Sequence, residues 1–181
     1  MIACLARRRA IALLGPGLAT LLVLTGCATR YKSNVFPGCR NTDTLVLMAQ
    51  SVPSAEMVPC IESMPAGWSF ETIDIRNGRS FFALDSDRAG DRAVRVTFVP
   101  TCDVAGATEI ATDQPGARRF ERVESVLRQY RGVRLYQFPG GCVSYRFEFS
   151  RRGLALVNEV SLAIGFTSRN EVARLARLPS L

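Results

Sequence analysis

The stretch whose reading decides the fold is VRLYQF (Val133–Phe138), PGG (Pro139–Gly141) and CVSYRFEF (Cys142–Phe149). Apolar and polar residues alternate on both sides of a Pro-Gly turn signal, the pattern of a β-hairpin rather than of a helix. Val143, Tyr145, Phe147 and Phe149 fall on one side of their strand and make a large apolar face. Such a face must be covered by other elements.

The same alternation extends upstream. Trp68–Ile75 and Arg79–Asp85 flank Arg76-Asn77-Gly78, and Asn-Gly between apolar runs is a strong hairpin signal. Ala93–Val99 puts Val94, Val96 and Phe98 on one side and Arg95 and Thr97 on the other. Pro100–Ala117 reads as a long loop, and Phe120–Leu127 fits strand or helix equally. Downstream, Leu154–Ile164 has helical spacing at Val157, Val160 and Ile164 between Gly153 and Gly165. Ser168-Arg169-Asn170-Glu171 is a capping box that opens a last helix with Val172, Leu175 and Leu178 inward. Near the start, Asn41-Thr42-Asp43 caps a short helix, Thr44–Gln50, that stops before Pro53, and Ser54–Ile61 is expected to add a helical turn. The expectation is an α+β domain: an antiparallel sheet of about five or six strands, a short N-terminal helix and two C-terminal helices packed on one face.

The first thirty residues have a different character. Three arginines (Arg7, Arg8, Arg9) precede an apolar stretch, Ala10–Leu24, too short to span a bilayer comfortably, and Leu24-Thr25-Gly26-Cys27 follows. Leu-Thr-Gly-Cys in this setting resembles the lipobox of bacterial lipoproteins. The resemblance implies cleavage before Cys27, lipid (palmitate-type acyl chains) on the Cys27 thiol, and stable anchoring on the extracytoplasmic face of a membrane. Residues 1–26 then form the signal peptide, 27–38 a lipidated tether ending in Pro37-Gly38, and 39–181 one extracytoplasmic domain. Arg8-Arg9 leaves a twin-arginine route open beside the general export route.

Of 181 residues, 23 are basic and 16 acidic. Three basic residues and no acidic one lie in 1–26, so the mature chain carries 20 against 16, or +4. That is far from a nucleic-acid-binding profile. Lys32 is the only lysine. The arginine excess fits either GC-rich codon usage or recognition of phosphate and carboxylate groups.

Six cysteines include Cys4 in the signal and Cys27 at the anchor. Cys39, Cys60, Cys102 and Cys142 remain, with no C-x-x-C pair, so disulfides are favoured over a metal site in an oxidising compartment. Three connectivities are open. If the strands alternate up and down, with the long loop and the segment after it returning as one strand, Cys102 and Cys142 lie at the same end of the sheet. Cys102–Cys142 and Cys39–Cys60 are then preferred.

Catalytic vocabulary is sparse. Without histidine the commonest base and metal ligand are missing, and no nucleophile motif or phosphate loop is evident. Asp85–Asp91 departs from a calcium loop at two ligand positions, Ala89 and Val96. Glu121 and Glu124 would share a face only in a helix. No cofactor and no metal are expected. One juxtaposition stands out: if Phe138 pairs with Cys142 across a three-residue turn, Arg134 lies opposite Arg146, with Tyr136 beside them. Opposed like charges are unfavourable in a sheet, so this face is a candidate site for an anion or a partner.

Ser51–Cys60 together with Phe138–Tyr145 resembles uncharacterised envelope lipoproteins of GC-rich Gram-positive bacteria, which implies a compartment and no activity. The resulting expectation is a non-catalytic binding or accessory lipoprotein of the cell envelope, held to the membrane through lipid on Cys27 and contacting an anionic envelope component or a membrane protein partner. The competing expectation is an envelope hydrolase or transferase using carboxylates, with Asp74, Asp85 or Glu148 as candidates. Two acids with raised pKa values in a pocket would favour the enzyme; a flat face bearing arginine and aromatic side chains would favour the binder.

Overall fold

A computed structural model describes residues 36–150 and 153–177. The expected signal peptide, Cys27, the expected tether through residue 35 and Leu178 of the last expected helix lie outside the described residues. Asn41 caps helix α1, Thr42–Ser51, its side chain accepting from Thr44 N. The next segment, expected to be helical, is instead strand β1, Met57–Ile61. Pro59 stands in the middle of it, where a helix would lose a backbone bond, and four of its five residues are buried.

The hairpin signals lead to β2 (Trp68–Arg76), β3 (Arg79–Ser86) and β4 (Gly90–Val99). Arg76 pairs with Arg79 around Asn77-Gly78, and Gly78 has the positive φ this turn requires. The long loop contains a three-residue strand, β5 (Thr108–Ile110), and the ambiguous segment is strand β6, Arg118–Ser125. β7 (Arg131–Phe138) and β8 (Gly141–Glu148) form the last hairpin. Helix α2 (Leu154–Ala163) leads directly into β9 (Ile164–Ser168), and Ser168 caps α3 (Arg169–Leu175) by accepting from Glu171 N.

The described chain is therefore richer in strands than expected. Seven form an antiparallel sheet in the order β2-β3-β4-β8-β7-β6-β5, and β1 pairs with β9 in a separate two-stranded sheet. The inner face of the seven-stranded sheet carries Ile73, Phe82, Leu84, Val96, Phe98, Tyr145 and Phe147, all buried. Leu45 and Met48 of α1, Val58 and Ile164 of the small sheet, Val157 and Val160 of α2, and Val172 of α3 belong to the same apolar cluster. Aromatic rings run through it in a connected series: Tyr136–Tyr145, Tyr145–Phe147, Phe147–Phe149 and Phe149–Trp68, with centroids 5.2 to 6.4 Å apart. Edge and tilted contacts of this kind add to the burial of the rings themselves.

Two arginines and a glutamate fasten the cover. Trp68 Nε1 donates to Glu159 Oε1 of α2 at 2.8 Å, and Arg88 binds the same carboxylate from the β3–β4 turn. Arg169 donates from Nε to Ala55 O at 2.6 Å and from Nη2 to Ala49 O and Val52 O at 2.9 and 2.7 Å. A guanidinium thus occupies the carbonyl end of α1, where orphan acceptors and the helix dipole both favour a cation.

The outer face of the sheet is covered unevenly. Phe120, Val133 and Leu135 form a second apolar cluster beneath Cys102, Val104 and Ala107 of the loop after β4. Over β3, β4 and β8, Arg95 and Arg146 are exposed and Phe81, Thr97 and Ser144 are half-buried.

Candidate functional site

The turn between β7 and β8 decides where the arginines point. The expected three-residue turn is a two-residue turn: Phe138 pairs with Gly141, and Pro139-Gly140 occupy the two central positions. Gly140 has φ +70°, and Pro followed by Gly is the residue pair of a type II turn. A one-residue change of register moves every side chain of a strand to the other face. Arg134 consequently lies opposite Tyr145 on the inner face, and Arg146 lies opposite Val133 on the outer face. The expected single face of Arg134, Arg146 and Tyr136 does not exist; the structure divides it in two.

On the inner side, Arg134 is 4% exposed and is paired. Its Nε donates to Glu121 Oε1 at 2.5 Å and its Nη2 to Asn158 Oδ1 of α2 at 3.3 Å. Arg119 reaches the same Glu121 oxygen at 2.5 Å and Asp113 at 3.5 Å, and Tyr136 Oη donates to Asp113 Oδ1 at 3.0 Å. Two guanidinium groups face two carboxylates, so the group balances its own charge. Burial pushes the Tyr136 and Tyr145 hydroxyls far above the ordinary phenol range. Both stay neutral, and Tyr145 Oη has no hydrogen-bond partner among the described residues. This is an internal network that joins β6, β7 and α2. Its members were legible only in part, because Arg119, Asp113 and Asn158 carry no local signal that connects them.

The outer side has the opposed like charges that the sequence led one to look for, with a different partner. Arg146 sits directly opposite Arg95 of β4. In the same row, Arg146 is opposite Val133 and Val133 is opposite Arg122 of β6. Arg95 lies over the Phe81 ring, its Cζ 4.7 Å from the centroid, and Arg79 approaches the same ring at 5.7 Å. Among the described residues, the carboxylate nearest this row is Glu124, 3.7 Å from Arg146 and 3.8 Å from Arg122. Arg122 also donates to Ala105 O of the covering loop. Arg95 and the Arg95–Arg146 pairing were missed because strand order is not written in a single sequence.

The carboxylates considered as catalytic are dispersed. Asp74 is paired with Arg76 at 2.8 Å, Asp85 Oδ1 accepts from Arg92 N at 2.7 Å, and Glu148 lies opposite Arg131. They occupy separate registers of the sheet: Asp74 is opposite Phe81 and Asp85 is opposite Ser69. Since Glu121 and Glu124 lie on a strand, they sit on opposite faces. Among the described residues no group of three or more acids or cysteines is arranged to hold a metal ion.

The four cysteines of the domain are joined as Cys39–Cys60 and Cys102–Cys142, with Cα separations of 4.9 and 5.7 Å. The second follows from topology: β4 and β8 are antiparallel neighbours with Val99 opposite Cys142, so the end of one strand meets the start of the other. The first joins Cys39, three residues before α1, to β1. No described helix is long and apolar enough to cross a membrane. Comparison with known proteins finds no matching family, no matching curated protein and no matching solved structure.

Proposed function

We propose that this protein is a non-catalytic binding lipoprotein of the cell envelope, lipidated on Cys27, held on the extracytoplasmic face of its membrane, and engaging an anionic envelope component through the outer face of its large sheet. In this reading α1 and the two C-terminal helices cover the inner face and leave the outer face to the ligand. The observation that carries it is Arg95 directly opposite Arg146 on an exposed strand pair, beside the Arg79–Phe81 stack. Opposed like charges cost stability in a sheet, and an oxyanion between them would offset that cost. Guanidinium forks suit phosphate and carboxylate groups better than ammonium groups do.

Arg95 and Arg146 are exposed on neighbouring strands, which suits a polymer or a protein surface better than a small enclosed substrate. A mature charge of +4 supports encounter with anionic partners without implying nucleic acid. The two disulfides suit an oxidising compartment, in line with an exported chain.

The test places a photo-crosslinking residue at Ser144, between the arginine row and the turn, in the full chain on intact cells. Crosslinks to an envelope component are expected, and Arg95→Ala/Arg146→Ala should abolish them with folding unchanged. Undiminished crosslinking in the double variant would remove the proposed face. Cys27→Ala should release the protein from the membrane, and continued membrane retention would remove the anchor.

A further inference from the structure

We infer that the ligand of the outer face is a linear oxyanion polymer, read by a row of arginines that crosses the strands. This rests on the anion-binding reading of that face and adds the form of the ligand. Arg95, Arg146 and Arg122 occupy one register row on β4, β8 and β6. Neighbouring strands are about 4.8 Å apart, so the row spans three strand spacings, about 14 Å, with the buried, uncharged Val133 between Arg146 and Arg122. A single phosphate can bridge Arg95 and Arg146 but cannot reach Arg122. A chain carrying an oxyanion at every few ångströms meets all three.

The ends of the row are shaped for such a chain. At one end Arg95 is exposed and lies over Phe81, its Cζ 4.7 Å from the ring centroid. At the other end Arg122 is held by Ala105 O, beside the loop that covers Phe120, Val133 and Leu135. Glu124 lies 3.7 to 3.8 Å from Arg146 and Arg122, too far for a good hydrogen bond, and so supplies one negative charge for three positive ones. An incoming polymer has charge left to neutralise.

The experiment measures binding of the full chain, in neutral detergent, to long-chain inorganic polyphosphate at several salt concentrations. Each engaged arginine releases counterions, so three contacts predict a slope of about −2 in log affinity against log salt, or about 20-fold weaker binding between 50 and 200 mM. Arg95→Ala/Arg146→Ala should weaken binding about tenfold at 50 mM and reduce the slope to about −0.7. Arg40→Ala/Arg177→Ala removes the same net charge away from the row and should change neither quantity appreciably. Equal losses in the two double variants would overturn the inference, because net charge alone would then account for binding. Orthophosphate at equal phosphate concentration separates the two levels of the argument. If it binds as tightly as the polymer with a slope no steeper than −0.7, the anion face stands and the polymer inference falls. If neither probe binds, the anion-binding reading itself falls.

Discussion

Glu121→Ala provides the sharpest test of how the inner network holds the sheet to its cover. Arg134 has a side chain 5% exposed, and its charge is met by Glu121 at 2.5 Å and, more weakly, by Asn158 at 3.3 Å. Removing the glutamate leaves a buried guanidinium with one neutral partner. Breaking a buried ion pair from one side costs about 3–5 kcal/mol, since the remaining charge is stranded in a poorly solvated place. Glu121 is itself 26% exposed, so water can enter and the lower end applies, about 3 kcal/mol. Arg119 contributes less to the loss, because it retains Asp113. For a domain of this size the change should lower Tm by roughly 9 °C. Chemical denaturation with an unchanged m-value should report the same loss. Glu124→Ala is the internal comparison: Glu124 is 37% exposed and its pairs are long, so it should cost under about 0.5 kcal/mol. Glu121→Ala/Arg134→Met removes the stranded charge and should recover at least half of the loss. The reasoning is refuted if Glu121→Ala lies within about 1 kcal/mol of wild type, or if the double variant is less stable than the single one.

Other sites give independent checks. Arg169→Ala strips a charged donor from three carbonyls at the end of α1 and should cost about 2–3 kcal/mol in thermal denaturation, with Arg169→Lys recovering only part because an ammonium lacks the fork. Gly140→Ala combines φ +70° with a Cβ that would lie 1.8 Å from Ser54 O, so a loss above about 2 kcal/mol is expected, with the amides of Ser54–Glu56 exchanging first. The hydrogen bond from Arg88, helped by that from Trp68, holds the Glu159 carboxyl below its ordinary value of 4.5. Its folded pKa lies below the unfolded one, so its contribution is fully present above about pH 4.5 and is lost as pH falls through the folded value; Glu159→Gln should flatten the acid limb of the stability profile there. Loss of α2 docking in the same variant, seen as faster exchange of the Trp68 indole N–H, would accompany it.

Local signals carried most of the element list. Asn77-Gly78 marks its hairpin, Ser168 and Glu171 mark their helix, and the alternation around Tyr145 marks a half-buried strand, because each depends on residues a few positions apart. Errors arose where the deciding interaction is distant or where two local readings compete. β1 and β9 pair across the domain; the first looks, taken singly, like a turn of helix, and the second falls between the end of one helix and the cap of the next. β5 is three residues long and owes its existence to β6. The β7–β8 turn is the instructive case: Pro-Gly and Pro-Gly-Gly are both legible as turns, and choosing the longer one put Arg134 on the wrong face. Arg146 does face a like charge, but its partner is on β4 and not on β7. That partner, Arg95, is 51 positions upstream and became a neighbour only through the insertion of β8 beside β4.

The Cys39–Cys60 bridge has a mechanical consequence. Cys39 precedes α1 and Cys60 belongs to β1, so the covalent link bypasses the helix between them. A pull on the chain ahead of Gly38 enters β1 through sulfur, and α1 sits in a slack loop that carries no load. β1 is paired along its length with β9, so the load reaches strands bonded residue by residue instead of unwinding a helix one turn at a time. Tension from the proposed lipid anchor would thus enter the domain at its small sheet, not at the strands that carry Arg95 and Arg146.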